Sequence, residues 1–294
     1  MNFCKGTFSG LAAALLFALL NVTVRVATPD LPPAQILFAR GISGLVLLTP
    51  FVFKSIPLLW SPKQFLIWIR FFAGTLAAFA LFYNIQMNGA GFAALFSHMA
   101  TLFVTFFSIV LFRESLSKTG WLGVTTIFIG IFLLYILRSS FDTSFNPVGI
   151  FIGLAGAFCG GVAMTALKQM ADKFSSLFIV WGFCLFCGLI ALFFFDAAWK
   201  CSGISHLLLL TSTSLLGLFG QILLTQSYSF LPAIIASLLG LSSILWSVIF
   251  ESIYFQSFPD QFSLFAYAII FVGLTILQIS YSKTERQKIQ EKIP

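Results

Sequence analysis

The stretch "ILFARGISGLVLLTPFVF", Ile36 to Phe53, decides the fold. It is apolar but for one guanidinium, at Arg40. Wound into a helix at about 1.5 Å per residue, it covers nearly the whole hydrocarbon layer of a bilayer. The chain around it agrees. Of 294 residues 59% are hydrophobic, 17% are aromatic and 9% are charged, with a mean hydropathy of +1.02 and 38 phenylalanines. A soluble domain carries roughly 25% charged residues, because its surface faces water. A chain this poor in charge must present most of its surface to lipid.

Similar apolar stretches recur along the chain and predict ten membrane-spanning helices: 7–26, 34–53, 66–86, 92–112, 120–137, 148–168, 177–196, 205–229, 233–255 and 263–281. Turn and charge signals separate them, among them "TPDLPP" (28–33), "RESLSK" (113–118) and "QSFPDQ" (256–261). Outer-membrane barrels show short alternating segments instead, so the expected class is an all-α integral membrane protein. The first span has a basic start at Lys5 but no small-residue cleavage site before "NVTVRVATPD" (21–30), and is read as a retained helix.

Loop cations set the orientation. With a cytoplasmic N-terminus, that side holds Lys5, Lys54, Lys63, Arg113, Lys118, Lys173, Lys283, Arg286, Lys288 and Lys292, against Arg138 and Lys200 opposite. Both termini are expected in the cytoplasm, with the chain in the inner (plasma) membrane. The net charge of +7 is then a topology signal and does not call for nucleic acid. The tail, 283–294, is basic and can also touch anionic lipid. Five cysteines form no framework; the pair Cys184 and Cys187 lies inside an apolar helix and reads as small-residue packing, not a metal site.

The two halves resemble each other. "GLAAALLFALLNVTVR" (10–25) aligns with "GLAGAFCGGVAMTALK" (153–168) at a shift of 143, which places Arg25 on Lys168. "YNIQMNGAGFAALF" (83–96) aligns with "TQSYSFLPAIIASL" (225–238) at a shift of 142, which places Asn84 on Gln226. Glu114 meets Gln256 at 142, and Gly130 meets Gly273 at 143. Five helices per copy turn the second copy upside down, so the expected organisation is two inverted repeats, 1–140 and 141–282, followed by the tail. Such repeats are a transporter signature, with the substrate site near the midplane.

These features resemble the drug/metabolite transporter superfamily, in particular its EamA-type ten-helix carriers. The resemblance rests on F-x-R in "LFARGISGLVLLTPF", the arginine opening "IWIRFFAGTLAAFALFYNIQ", and the acid ending "GFAALFSHMATLFVTFFSIVLFRESLS". It covers nearly the whole chain. One departure is that Gln256 replaces the helix-ending acid in the second half, with Glu251 a turn and a half earlier. The resemblance implies a secondary transporter working by alternating access. Chain length and arginine pattern look similar to the S-adenosylmethionine uptake carriers of intracellular bacteria. An amino-acid-like metabolite, amino-acid or drug export on the same fold, a non-transporting scaffold and a lipid-carrier translocase subunit stand as alternatives.

A charge at the bilayer centre costs about 3 kcal/mol or more, so each one here is a candidate. Arg40 anchors a substrate anion through its planar fork, pairs with Glu251, or caps another helix's carbonyls. Glu251, deep in its span, is an ion pair or a gate; Arg25, near the outer end of the first helix, either joins that gate, contacts ligand or snorkels. Arg70 is assigned to topology, snorkelling or gating. His98 is a hydrogen-bonded neutral ring or a proton relay. Tyr83, Asn84, Gln86, Gln221 and Gln226 are candidate polar lining or interhelical hydrogen-bonding groups, and Trp246 a stacking platform or a lipid-facing or packing ring. The expected substrate contacts are Arg40, Arg25, Tyr83, His98, Gln226 and Trp246, with Glu251 and Arg70 as gate or ion pair. No phosphate loop, metal set or activated nucleophile is present, so neither an enzyme nor a cofactor is expected. The expected partners are a small-molecule substrate and lipid, with the chain a monomer or homodimer.

Overall fold

The structure is a computed structural model describing residues 2–60, 65–112, 117–141, 148–171, 173–195, 199, 203–256, 261, 264–266, 268–273, 275–276 and 279–280. The tail 283–294, Glu114 and Cys201 lie outside the described residues. In lipid every backbone N–H and C=O must be satisfied within the protein, which favours uninterrupted helices in apolar runs. The described elements are helices: α1 (Asn2–Ala27), α2 (Pro33–Val52), a 3-10 stretch (Phe53–Trp60), α3 (Phe65–Phe112), α4 (Lys118–Phe141), α5 (Val148–Ala171), α6 (Ser176–Leu192), α7 (Gly203–Phe230), α8 (Ala233–Gly240), α9 (Ser242–Phe255) and α10 (Leu264–Gly273). Six described helical spans are long and apolar enough to cross a membrane, and Phe96–Leu111, Ser176–Leu192 and Leu264–Gly273 are shorter apolar ones. Side chains such as Phe8, Phe51, Phe151 and Phe193 point outward around the bundle, where only lipid can accept them.

Helix ends follow local chemistry. Pro33 opens α2, where a missing N–H costs nothing. Ser175 caps α6 by accepting from the backbone N–H of Phe178 at 3.3 Å. Gln256 closes α9 in the left-handed conformation, at φ 50°.

Two predicted boundaries differ. The third and fourth spans belong to one helical element of 48 residues, α3. Drawn straight it would be about 72 Å long. Its packing shows that it doubles back. Gly160 of α5 lies against both Ala77 and Ala100, and Gly153 against both Asn84 and Phe96. Along α5 the first partners descend in number and the second ascend, so the chain reverses between Asn84 and Phe96. The ninth span, conversely, is broken at Leu241 into α8 and α9, where the bonds Leu241 N–H to Leu238 O and Ile244 N–H to Leu241 O tighten the turn.

Contacts repeat at a constant offset. Gly10 meets Ser227 and Leu239, and Gly153 meets Asn84 and Phe96; each residue of one set is 143 from its mate. Gly130 packs on Ile270, and Gly273 on Ile127, under the same offset. The predicted shift of 142 for residues 83–96 is therefore corrected: Asn84 corresponds to Ser227, not Gln226. Few identities and an apolar background let a one-residue slip pass unnoticed. The Gly130 and Gly273 pairs also show that α4 and α10 cross antiparallel.

Candidate functional site

Between α1, α2, α3, α5, α6, α7, α8 and α9 lies a cavity of about 190 Å³, lined from both halves of the chain. Small residues make the room: Gly74, Ala77, Ala80, Gly153, Gly156 and Gly160 keep α3 and α5 from filling it. Its polar lining includes Asn21, Arg40, Arg70, Asn84, His98, Gln221 and Ser243.

Two buried guanidiniums dominate. Arg40 is 4% exposed and Arg70 is 0% exposed. Arg40 reaches across to α7 and donates from Nη2 to the carbonyl of Gly217 at 3.3 Å. Arg70 donates from Nη2 to Oε1 of Gln221, one turn further along α7, at 3.0 Å. Both lie over the ring of Phe183, at 5.3 Å and 5.2 Å from its centre, where the π face offers a cation partial compensation. A side chain at Gly217 would strike the Arg40 guanidinium, and one at Gly74 that of Arg70; these two glycines are themselves 143 apart. Among the described residues, Arg40 Nε and Arg70 Nε and Nη1 meet no acceptor.

The acids stand elsewhere. Asp30 and Glu251 are the described ones, and both sit at the end of the bundle opposite the N-terminus, here called the far end. Glu251 pairs with Arg25, whose guanidinium also covers the Phe255 ring at 4.5 Å, joining α1 to α9. Asp30 lies 4.0 Å from His206. At the near end Lys168, the counterpart of Arg25, donates from Nζ to the carbonyl of Tyr228 at 3.0 Å, joining α5 to α7.

The geometry sorts the candidates. Arg40 and His98 line the cavity, the latter bonded to Ser243 Oγ at 3.1 Å beside the α8–α9 break. Arg25, Tyr83, Gln226 and Trp246 are not among its lining residues. Arg25 is engaged with Glu251, Tyr83 packs on Phe79, and Trp246 stacks on Phe250 on the outer face. Gln226 falls on the flank of α7 that faces away, since Gln221, Leu224 and Tyr228 take the lining positions. Among the described contacts Arg40 does not pair with Glu251, and Arg70 does not snorkel: it is enclosed at the cavity. Counting turns from a helix end cannot show that a helix is roofed by its neighbours. Phe183, Asn21 and Ser243 carry no sequence signal in so aromatic and serine-dotted a chain. Asn84 and Gln221 were legible as polar lining.

Cys184 packs on Gly44 where α2 and α6 cross, and Cys187 contacts Thr75 Oγ1 at 3.7 Å, which accounts for the pair without a metal. Among the described residues no group of three His, Cys, Asp or Glu side chains converges.

Comparison with known proteins agrees with this architecture. The EamA-like transporter family matches residues 5–136 and again 147–279. An uncharacterized transporter of Helicobacter pylori is 25% identical over 290 residues, covering 95% of this chain and 96% of that one. The pseudopaline exporter CntI of Pseudomonas aeruginosa is 22% identical over 286 residues, covering 96% and 97%. A solved crystal structure superposes with a TM-score of 0.75 over 95% of this chain and 98% of that chain, at 18% identity, which bears on the fold alone. Family and relatives are transporters, not enzymes, and the chain is a multi-pass membrane protein that belongs to the EamA-like transporter family of the drug/metabolite transporter superfamily.

Proposed function

We propose that this transporter moves a small, carboxylate-bearing metabolite of amino-acid size by alternating access through the central cavity, with Arg40 orienting the carboxylate. One observation carries the reading: a buried guanidinium, its Nε without a described acceptor, lines a cavity whose described lining contains no acid. An isolated buried cation is costly, and a carboxylate is the group its planar fork matches. The cavity has room for on the order of a dozen non-hydrogen atoms, at roughly 15 Å³ for each water-sized centre. S-adenosylmethionine offers the carboxylate but is about twice that size and brings a sulfonium that no described lining acid answers.

The antiparallel crossing of α4 and α10 and the uniform offset support two inverted repeats, 1–140 and 141–282. Such halves can exchange conformations and open one central site to either side in turn. Loop cations support a bacterial-type inner-membrane location with both termini in the cytoplasm. As a secondary carrier, it would run on gradients or exchange. The name of the Pseudomonas aeruginosa relative makes export the first direction to assay.

Purified protein in liposomes tests the reading by counterflow of labelled amino acids and related carboxylates. Saturable counterflow is expected, and it should be lost in a correctly folded Arg40→Ala variant. A wild-type chain inert to every carboxylate offered, or an Arg40→Ala variant with normal counterflow, sinks it.

A further inference from the structure

We infer that Arg70 makes a second anion seat beside Arg40, so that the site selects a solute carrying two carboxylates over one carrying a single carboxylate. This deepens the proposed carrier reading and rests on it. The two guanidiniums share one ring, that of Phe183, and each is anchored to α7, at Gly217 and Gln221. Those anchors are four residues apart, about 6 Å of helix rise. The seats are therefore neighbouring but separate, the spacing of two carboxylates joined by a short carbon chain.

The donors point the same way. The contacts to Gly217 and Gln221 use one Nη2 of each residue and fix the planes; Arg40 Nε and Arg70 Nε and Nη1 remain without a described acceptor. Both side chains are more than nine-tenths buried and both line the cavity. Two like charges enclosed this close repel each other, and one carboxylate would leave the second cation uncompensated. Neither described acid relieves them, because Glu251 holds Arg25 and Asp30 lies by His206 at the far end. A dianion neutralises both at once through charge-assisted bonds. The lining also includes Ala77, Ala78 and Leu81, apolar surface that suits a methylene chain.

The test uses the full-length protein in detergent. Its unfolding temperature is followed against malonate, succinate, glutarate and adipate, against the matching monocarboxylates, and against inorganic phosphate. A dicarboxylate should half-saturate at about a tenfold or more lower concentration than its monocarboxylate, the worth of one further charge-assisted contact. Arg70→Gln and Arg40→Gln should each remove that preference, and Arg70→Lys should restore part of it. Equal affinity for mono- and dicarboxylates overturns the second seat, and this comparison needs only the wild-type chain should a variant not fold. Tighter binding of phosphate than of any dicarboxylate also overturns it, since the two forks would then converge on one centre. Dicarboxylate binding without counterflow in liposomes supports the seat and overturns the carrier reading. Counterflow of monocarboxylates with no preference for dicarboxylates does the reverse.

Discussion

At the scale of single residues, charge placement was half legible. That an arginine buried in a span serves a site follows from its cost in lipid, and Arg40 obeys that logic. Arg70 defeated it because sequence gives depth along a helix but not what roofs it. The pair of Arg25 and Glu251 was legible as two opposite charges at similar depth. Glu251 is 10% exposed by side chain and Arg25 40%, so the pair lies between a surface bridge and a buried one. Arg25→Ala leaves the carboxylate stranded and should cost about 2 kcal/mol, between the limits for exposed and buried pairs. The double variant Arg25→Ala with Glu251→Gln should recover part of that loss, a coupling that a melting-temperature cycle in detergent reads directly. Purely additive losses would mean that the pair does not hold α1 to α9. Gly217 offers a sharper test of the cavity. A methyl group there would strike the Arg40 guanidinium, so Gly217→Ala should leave a folded protein whose counterflow falls about tenfold or more, as the loss of one charge-assisted bond implies. Unchanged counterflow would show that the guanidinium position seen here is not the one substrate meets.

At the scale of elements, length and hydropathy placed the six membrane-length spans and the three shorter apolar helices, because the bilayer dictates both. What they could not place was where helices join or break. The turn of α3 carries no proline: the predicted gap between 66–86 and 92–112 falls on it, but nothing in the sequence shows the helical winding continuing through it. The α8–α9 break is equally quiet. Its signals, Gly240 followed by Ser242 and Ser243, also occur in straight membrane helices, where Ser side chains re-satisfy the backbone, as Ser242 does by donating to Leu239 O at 2.7 Å. The break brings Ser243 to His98, and the offset of 143 makes His98 the counterpart of Leu241, the residue at the break. A Cβ on Gly240 would meet open space. Gly240→Ala should therefore fit, raise stability by about 0.5–1 kcal/mol through backbone entropy, and slow turnover if α8 and α9 flex about the break during transport. Calorimetric melting and counterflow rates together check this; a more stable variant with an unchanged rate would make the break a static feature. The crossing of α2 and α6 tolerates no such addition. A Cβ on Gly41 would overlap the backbone of Gly188, so Gly41→Leu should abolish the monodisperse folded peak in size-exclusion chromatography.

At the scale of the whole molecule, the internal repeat was visible in four short blocks but its register was not, since a slip of one residue in an apolar helix changes few identities. The contacts supply the register, and with it an asymmetry. Arg25 corresponds to Lys168, but Glu251 corresponds to Ser108, so the far end carries a closed ion pair where the near end has a cation bonded to a carbonyl. In the proposed alternating-access cycle, opening the far end would break the Arg25–Glu251 contact. Holding that contact should therefore stop transport without touching the cavity. In a background with the native cysteines replaced, Arg25→Cys and Glu251→Cys joined by a flexible bis-maleimide should abolish counterflow in liposomes. Each single-cysteine variant treated with the same reagent should keep its own untreated rate. The cavity should still bind solute in the joined protein, read as a retained ligand-dependent rise in melting temperature, because Arg40, Arg70 and Phe183 lie deeper in the bundle. Full counterflow across the joined pair would place the moving contact elsewhere, and loss of both transport and binding would show that the ion pair shapes the site instead of gating it.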